Sequence, residues 1–327
     1  MASSLLSIKP HEVSRDLSGY SVLLYGTPKS GKTTLASRFP KALVFAFEKG
    51  YNTIPGIMAQ PINSWREFRT FLIELKEDEV KEAYRTIVID TADIAYEYCC
   101  DYIARQEGKD SIGDIKYGQG YNKAQKEFDK AIRSILQMDY GLVLISHSQD
   151  RTETDENNVE YIKMMPTLDK RAALVCERAC DIIGLTRPVR DESGKVSTKM
   201  YLRETPRYVA GSRFKYMVDE IDLSYENLVK AINDAIDKEA AETGNKYVTA
   251  TKSNLYTPIE EVVYDFDALM AEFGDIVGDL MERDPANRMK ITSIVSEYLG
   301  EGRKVNECSE TDAPQIDLIL RELRRLV

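Results

Sequence analysis

Five apolar runs punctuate the first two-thirds of the chain: 20–25 (YSVLLY), 42–47 (ALVFAF), 86–90 (TIVID), 142–147 (LVLISH) and 181–186 (DIIGLT). None alternates apolar with polar positions, so each reads as a short strand buried on both faces, as parallel strands are. The segments between them carry a helical period instead. In 64–76, Ser64 and Glu67 form a capping-box pattern, and Trp65, Phe68, Leu72 and Leu75 share one face. Helix is predicted from Lys32 to about Phe39, where Pro40 stops it, and again over 94–106 and 169–180. Another is predicted over 122–138, with Ala124, Phe128, Ile132 and Ile135 facing inward. Strands alternating with helices predict an α/β fold, a mostly parallel sheet between helices with right-handed crossovers.

Beyond the fourth strand the pattern weakens. Residues 149–168 are polar and lack apolar periodicity in their first half, and 187–204 read as a hairpin turning at 191–195 (DESGK). Ser224 caps an amphipathic helix that runs to about Glu242, and 243–258 form a polar linker. Residues 259–299 and 314–327 are helical patterns around a polar break at 300–313. The expected organisation is a core over 1–242, a linker over 243–258, and a small helical domain over 259–327.

Charge sharpens that division. The 327 residues carry a net −10, of which 259–327 contribute 16 acidic and 8 basic side chains, a net −8. The remaining −2 leaves residues 1–258 nearly neutral, so nucleic-acid binding, if present, must rest on local basic patches. No run of about 18 apolar residues exists, which argues against a membrane span. The first residues lack the shape of a signal peptide. Five cysteines without a paired CxxC spacing suit a reducing cytoplasm, and core burial is expected for Cys176 and Cys180. A cytoplasmic location is expected, that of the host cell if the chain is phage-encoded.

The chemistry gathers at the carboxyl ends of the strands. Gly26, Thr27, Pro28, Lys29, Ser30, Gly31, Lys32 and Thr33 satisfy GxxxxGK[ST] between a strand and a helix, and Thr34 follows. Backbone N–H groups of such a loop cradle phosphates, Lys32 reaches the outer ones, and the Thr33 hydroxyl joins a Mg²⁺ shell. ATP and Mg²⁺ are therefore the expected cofactors. Asp90, ending the third strand, is placed to support the metal through water; Asp93 reads as the cap of the next helix. Glu48 ends the second strand, where a carboxylate can activate a water in line with the γ-phosphate; a solvent-facing strand-end glutamate is the alternative. His147 ends the fourth strand, where a polar side chain can sense that phosphate; a structurally satisfied histidine is the alternative.

Two loops leave the same edge, 107–121 and 149–168. They carry Lys109, Lys116, Tyr117, Tyr121, Arg151, Tyr161 and Lys163, with Lys170 and Arg171 just after. Cations beside aromatics suit a sugar-phosphate track with stacked bases. The second loop also holds Asp150, Glu153, Asp155, Glu156 and Glu160, and a plain solvated hairpin fits its composition equally. Arg203, Arg207 and Arg213 are candidates for reaching a neighbouring subunit's γ-phosphate, with a solvated face as the alternative for each.

The order of these parts resembles the RecA-type core over about residues 18–240, and especially the phage-encoded P-loop nucleotide-binding proteins, Sak-type annealing recombinases among them. GTPKSGKTT is similar to the family's Walker A loop, TIVID to Walker B, and FAFE, ending in Glu48, to its catalytic-glutamate strand. His147 stands where the family keeps a polar sensor, often glutamine, and the two loops stand where it keeps its DNA-binding loops. The likeness implies an ATPase that binds single-stranded DNA, promotes annealing or strand exchange, and assembles as a homo-oligomer. The acidic C-terminal unit, 259–327, matches nothing in that core and is expected to compete with DNA for the basic loops or to dock a protein partner. A P-loop small-molecule kinase and a nucleotide-gated protein-binding scaffold are the rivals. For the first, 107–121 would have to serve as a lid, and it contains no arginine.

Overall fold

The computed structural model describes residues 10–190, 192–244, 247–250, 264–300 and 302–326. Their elements begin with β1 (Val13–Ser14), β2 (Ser21–Gly26), α1 (Lys32–Ala36), β3 (Ala42–Ala46), β4 (Ala59–Pro61), α2 (Trp65–Glu74) and α3 (Asp78–Ala83). There follow β5 (Thr86–Asp90), α4 (Ala92–Gln106), α5 (Gln119–Gln137), β6 (Gly141–Thr154), β7 (Glu160–Pro166), α6 (Lys170–Ala179), β8 (Ile182–Arg190) and β9 (Val196–Tyr201). The first unit closes with β10 (Gly211–Ser212), β11 (Glu220–Asp222), α7 (Tyr225–Thr243) and β12 (Val248–Thr249).

The main sheet runs β11-β9-β8-β2-β6-β5-β3-β4, parallel from β8 to β4 and antiparallel at β9 and β11. β6 separates the phosphate-loop strand β2 from β5, the strand ending in Asp90. This is the α/β architecture with a mostly parallel sheet that the strand pattern predicts, in the RecA-like P-loop arrangement that the resemblance implies. The sheet buries both faces because successive residues point opposite ways. Leu23, Phe45, Ile87, Ile89, Leu142 and Leu144 pack one side with residues of α2, α4, α5 and α6. Leu24, Val44, Val88, Val143 and Ile145 pack the other with residues of α1 and α7. The helical face expected of 64–76 is inward throughout: Trp65, Phe68, Leu72 and Leu75 are all buried.

Several expectations change. α1 ends at Ala36, and the chain reaches Phe39 through tight turns in which Arg38 and Phe39 donate to the carbonyls of Leu35 and Ala36. α5 starts three residues early because 107–121 is no open loop. It folds into turns at 112–114 and 116–118, and Gly120 lies so close to Ile112 and Ile115 that a Cβ there would approach both within 3 Å. The largest difference is β6, which does not stop at His147. It continues to Thr154 and pairs antiparallel with β7, Ser148 opposite Pro166 and Thr154 opposite Glu160. The polar stretch 149–168 is thus a two-stranded arm whose ladder satisfies the backbone without a buried face, which is why core periodicity is absent from it.

The chain divides into two compact units, Met1–Tyr256 and Thr257–Val327. Of the expected linker, 245–246 and 251–258 lie outside the described residues. The second unit holds α8 (Phe266–Arg283), α9 (Asn287–Leu299) and α10 (Ala313–Leu323), packed around Leu280, Ile291, Ile319 and Leu323. Its acidic side chains are mostly at its surface, and Arg324 pairs with Glu272 across α10 and α8.

Candidate active site

Two glycines set the phosphate loop's path. Gly26 lies so close to β8 that a Cβ would stand 2.1 Å from the Thr186 carbonyl oxygen. Gly31, just before α1, adopts a φ of 89°, a left-handed conformation glycine takes at little cost. Ser30 braces the loop against β8 through a 2.7 Å hydroxyl contact with Thr186. Lys32 is buried, and its ammonium donates to the Gly26 and Thr27 carbonyls at 3.0 and 2.9 Å. Burial lowers its pKa, while Asp90, Glu48 and Asp93 oppose that shift. The Lys29 and Gly31 N–H groups donate to no backbone acceptor among the described residues, so the loop retains donors suited to an anion.

Asp90 meets this loop directly: its Oδ2 accepts the Thr33 hydroxyl at 2.7 Å. A hard cation that keeps most of its waters needs only one or two protein oxygens beside phosphate, and the Thr33–Asp90 pair fits that demand. Burial raises the Asp90 pKa most; the Thr33 hydrogen bond lowers it, Glu48 raises it, and Lys32 and His147 lower it. The folded chain therefore holds this proton to higher pH than the unfolded chain does. Stability is lost as pH rises above the ordinary aspartate range, and the loss persists at neutrality. Asp90→Asn keeps the shape and an acceptor for Thr33. Without nucleotide or Mg²⁺ it is expected to raise Tm at pH 7 by roughly 2–4 °C, the shift that about 1 kcal/mol gives a domain of this size. The gain should vanish near pH 4; thermal scans showing a lower Tm at pH 7 would contradict this reading of the charge.

The ends of β3 and β5 are tied together, because Phe47 and Glu48 both donate their backbone N–H to the Asp90 carbonyl, at 2.7 and 3.1 Å. This holds Glu48 beside the loop, and its Oε2 lies 3.2 Å from His147 Nε2. A neutral His147 with its proton on Nε2 donates this bond, leaving Nδ1, which is buried and has no partner among the described residues. Glu48, just past the end of β3, and His147, inside β6, are thus a contacting pair. Asp93 does not cap α4 as expected: the N-cap is Thr91, without a side-chain cap bond. Its Oδ1 instead accepts the hydroxyls of Ser146 at 3.0 Å and Thr167 at 2.5 Å. Asp93 therefore joins the first turn of α4 to both roots of the arm.

Sequence patterns missed one wall of the site. A cavity of about 720 Å³ adjoins Lys29, Ser30, Gly31 and Thr34 and is bounded by Arg38, Thr198, Asp222, Leu223, Ser224 and Tyr225. Its size suits a nucleotide's base and sugar. Segments nearly 200 positions apart build it, and no local pattern marks 222–225 as site residues.

The basic candidates separate into free and engaged. Lys109, Lys116, Arg151 and Lys170 are exposed, and Tyr117 is 93% exposed. Tyr161 is half-buried on the arm opposite Glu153. The Arg171 guanidinium lies 5.1 Å above the Tyr121 ring, joining the 107–121 segment to the foot of the arm. Lys163 pairs instead with Glu204 at 2.9 Å, so its charge is committed within the chain. Two of the three arginines placed to act on a neighbour are likewise engaged. Arg203 donates to the Met217 and Lys215 carbonyls and lies 3.4 Å from Asp219. Arg213 bonds Asp181 and the Arg178 carbonyl. Only Arg207 of the three has no side-chain partner among the described residues. Cys176 and Cys180 are buried as expected, and burial pushes both thiols' pKa up.

A glycine-bounded phosphate loop, a buried strand-end aspartate on its threonine and an intervening parallel strand define a P-loop nucleotide-binding ATPase with a RecA-like core. Residues 18–214 match the AAA domain model AAA_24, and the chain belongs to that family. It is 29% identical to the SPbeta prophage-derived uncharacterized protein YorG of Bacillus subtilis (strain 168), over 100% of this chain and 99% of that protein. Among solved structures it is similar to the KaiC-like protein PH0186 of Pyrococcus horikoshii OT3 (12% identity, 61% of this chain and 90% of that one, TM-score 0.33). Another is the flagellar accessory protein FlaH of Methanocaldococcus jannaschii (9% identity, 56% of this chain and 77% of that one, TM-score 0.30). Among the described residues no helix is long and apolar enough to cross a membrane.

Proposed function

We propose that this chain is a single-stranded-DNA-binding ATPase of the phage annealing-recombinase kind, in which the state of the γ-phosphate is passed to a DNA-contacting arm. The observation that carries this reading is the continuity of β6. His147 contacts Glu48 at the phosphate site, and the same strand runs on without a break as the arm. Asp93 clamps the arm's two roots to the helix that follows Asp90. A change at Glu48 or His147 therefore acts on an element that carries the exposed Arg151 and has the exposed Lys170 at its foot.

Hydrolysis in this reading uses the chain's own groups in fixed roles. Lys32 and the loop N–H groups would hold the phosphates, and Thr33, with Asp90 through water, would hold Mg²⁺, which would supply charge neutralisation at the phosphate oxygens. Glu48 accepts the proton of the attacking water as oxygen bonds to the γ-phosphorus and ADP departs. Arg207 is the candidate to act on a neighbouring subunit in a homo-oligomer.

The test is equilibrium binding of a labelled single-stranded oligonucleotide with a non-hydrolysable ATP analogue, across a salt series. Binding should tighten with the analogue and weaken linearly in log–log form with salt, by about 0.7 per phosphate contacted. Arg151→Glu on the arm should weaken it. Nucleotide-dependent assembly with no oligonucleotide affinity at low salt would overturn the reading in favour of a protein-binding scaffold.

A further inference from the structure

Outside both 107–121 and the arm, a groove of about 510 Å³ opens between the start of α2 and the second half of α4. Two of its lining residues, Arg66 and Arg105, are exposed and have no ion-pair partner among the described residues. Between them lie two tyrosines held in place. The Tyr102 hydroxyl receives hydrogen bonds from Arg69 and, at 2.6 Å, from Gln106, and the Arg69 guanidinium covers its ring at 5.4 Å. Arg69 is itself paired with Glu127 at 3.3 Å, and Glu127 accepts the buried Trp65 indole N–H at 3.1 Å. Tyr98 packs on Phe47 with ring centroids 5.8 Å apart, and Phe47 directly precedes Glu48. The aromatic wall is thus two pre-set rings one turn apart on α4, across from the first turn of α2. The carboxylate of Asp101, also exposed, and the amide of Asn63 complete the rim.

We propose that this groove seats one nucleotide of a single strand. Its base lies against Tyr98 and Tyr102, its flanking phosphates lie on Arg66 and Arg105, and Asp101 and Asn63 face the base edge. Two free guanidiniums against one carboxylate leave the site net positive, as a phosphate ligand requires, and guanidiniums suit phosphate geometry. Tyrosine faces accept any base, so the site is tolerant of sequence. The choice of a strand as the source of the nucleotide rests on the DNA-binding reading above. Tyr98 packs on Phe47, the residue before Glu48, so a seated strand would reach the hydrolytic carboxylate through these two rings, by a route separate from the arm.

Photocrosslinking tests it: an oligonucleotide carrying 5-iododeoxyuridine, irradiated on the full chain with a non-hydrolysable ATP analogue, with adducts mapped by mass spectrometry. Adducts at Tyr98 or Tyr102 are expected, and excess free mononucleotide should not displace them. The Arg66→Ala/Arg105→Ala double variant should lose about tenfold or more in oligonucleotide affinity. Its log–log salt slope should fall by about 1.4, the loss of two phosphate contacts. Both arginines are exposed, so an unchanged Tm certifies that the variant is folded. If the parent chain binds no oligonucleotide, the DNA-binding reading itself fails. If it binds but crosslinks only on the arm, and the double variant matches it in affinity and slope, this subsite alone is overturned. Displacement by mononucleotide at equal nucleotide concentration would likewise overturn it, marking a free-nucleotide site.

Discussion

Glu48→Gln is expected to lower kcat for ATP hydrolysis by about 10²–10⁴-fold, the range that a positioned general base contributes, while nucleotide affinity stays near that of the parent chain. The reason lies in what glutamine preserves. It keeps the length of the side chain and an oxygen that can accept from His147 Nε2, 3.2 Å away in the parent chain. Glutamine also leaves untouched the backbone bonds that hold residues 47 and 48 to the Asp90 carbonyl. Only the ability to take a proton is removed. Steady-state phosphate release and equilibrium nucleotide binding, measured together, separate the outcomes. Equal turnover in the two chains would return Glu48 to the status of a strand-end glutamate whose partner is merely His147.

The second large effect is expected at Lys32. Lys32→Ala should reduce turnover by at least about 10²–10³-fold, the loss seen when one preorganised donor to developing charge is removed, and should weaken nucleotide binding as well. Unlike Glu48, this side chain is buried and bonds the loop's own carbonyls. The variant therefore also leaves the Gly26 and Thr27 carbonyls without those donors, and part of its defect is a loosened loop. Lys32→Arg separates the two contributions. It retains a positive charge, but a planar guanidinium does not reproduce the compact ammonium's fit, so nucleotide binding should recover in part and turnover should not. Full activity in Lys32→Ala would remove the phosphate-loop assignment altogether.

Much of the fold and of the phosphate site is legible in the amino-acid sequence. The phosphate loop is written in eight consecutive residues, and the five core strands announce themselves because a strand buried on both faces must be apolar at every position. Glu48, Asp90 and His147 follow from a positional rule, that ligands gather beyond the carboxyl ends of parallel strands. What stays hidden depends on neighbours remote in sequence. The second strand of the arm satisfies its ladder opposite 148–154, a pairing no apolar alternation records. Asp93 looks like a cap because carboxylates at that offset usually are caps, yet Ser146 and Thr167, more than 50 positions away, claim it. Arg203 and Arg213 read as available in the sequence, but the fold wraps carbonyls and carboxylates around them. The wall at 222–225 and the groove at Arg66 and Arg105 are visible only once separate segments are brought together.

The measurement that bears most directly on the central claim is ATP turnover with and without single-stranded DNA, at low and moderate salt, with Lys32→Ala as the blank. A DNA-coupled ATPase gives turnover that rises with single strands, falls back as salt strips phosphate contacts, and disappears in the blank. Turnover above the blank but indifferent to DNA at every salt concentration would contradict the coupling of phosphate site to arm.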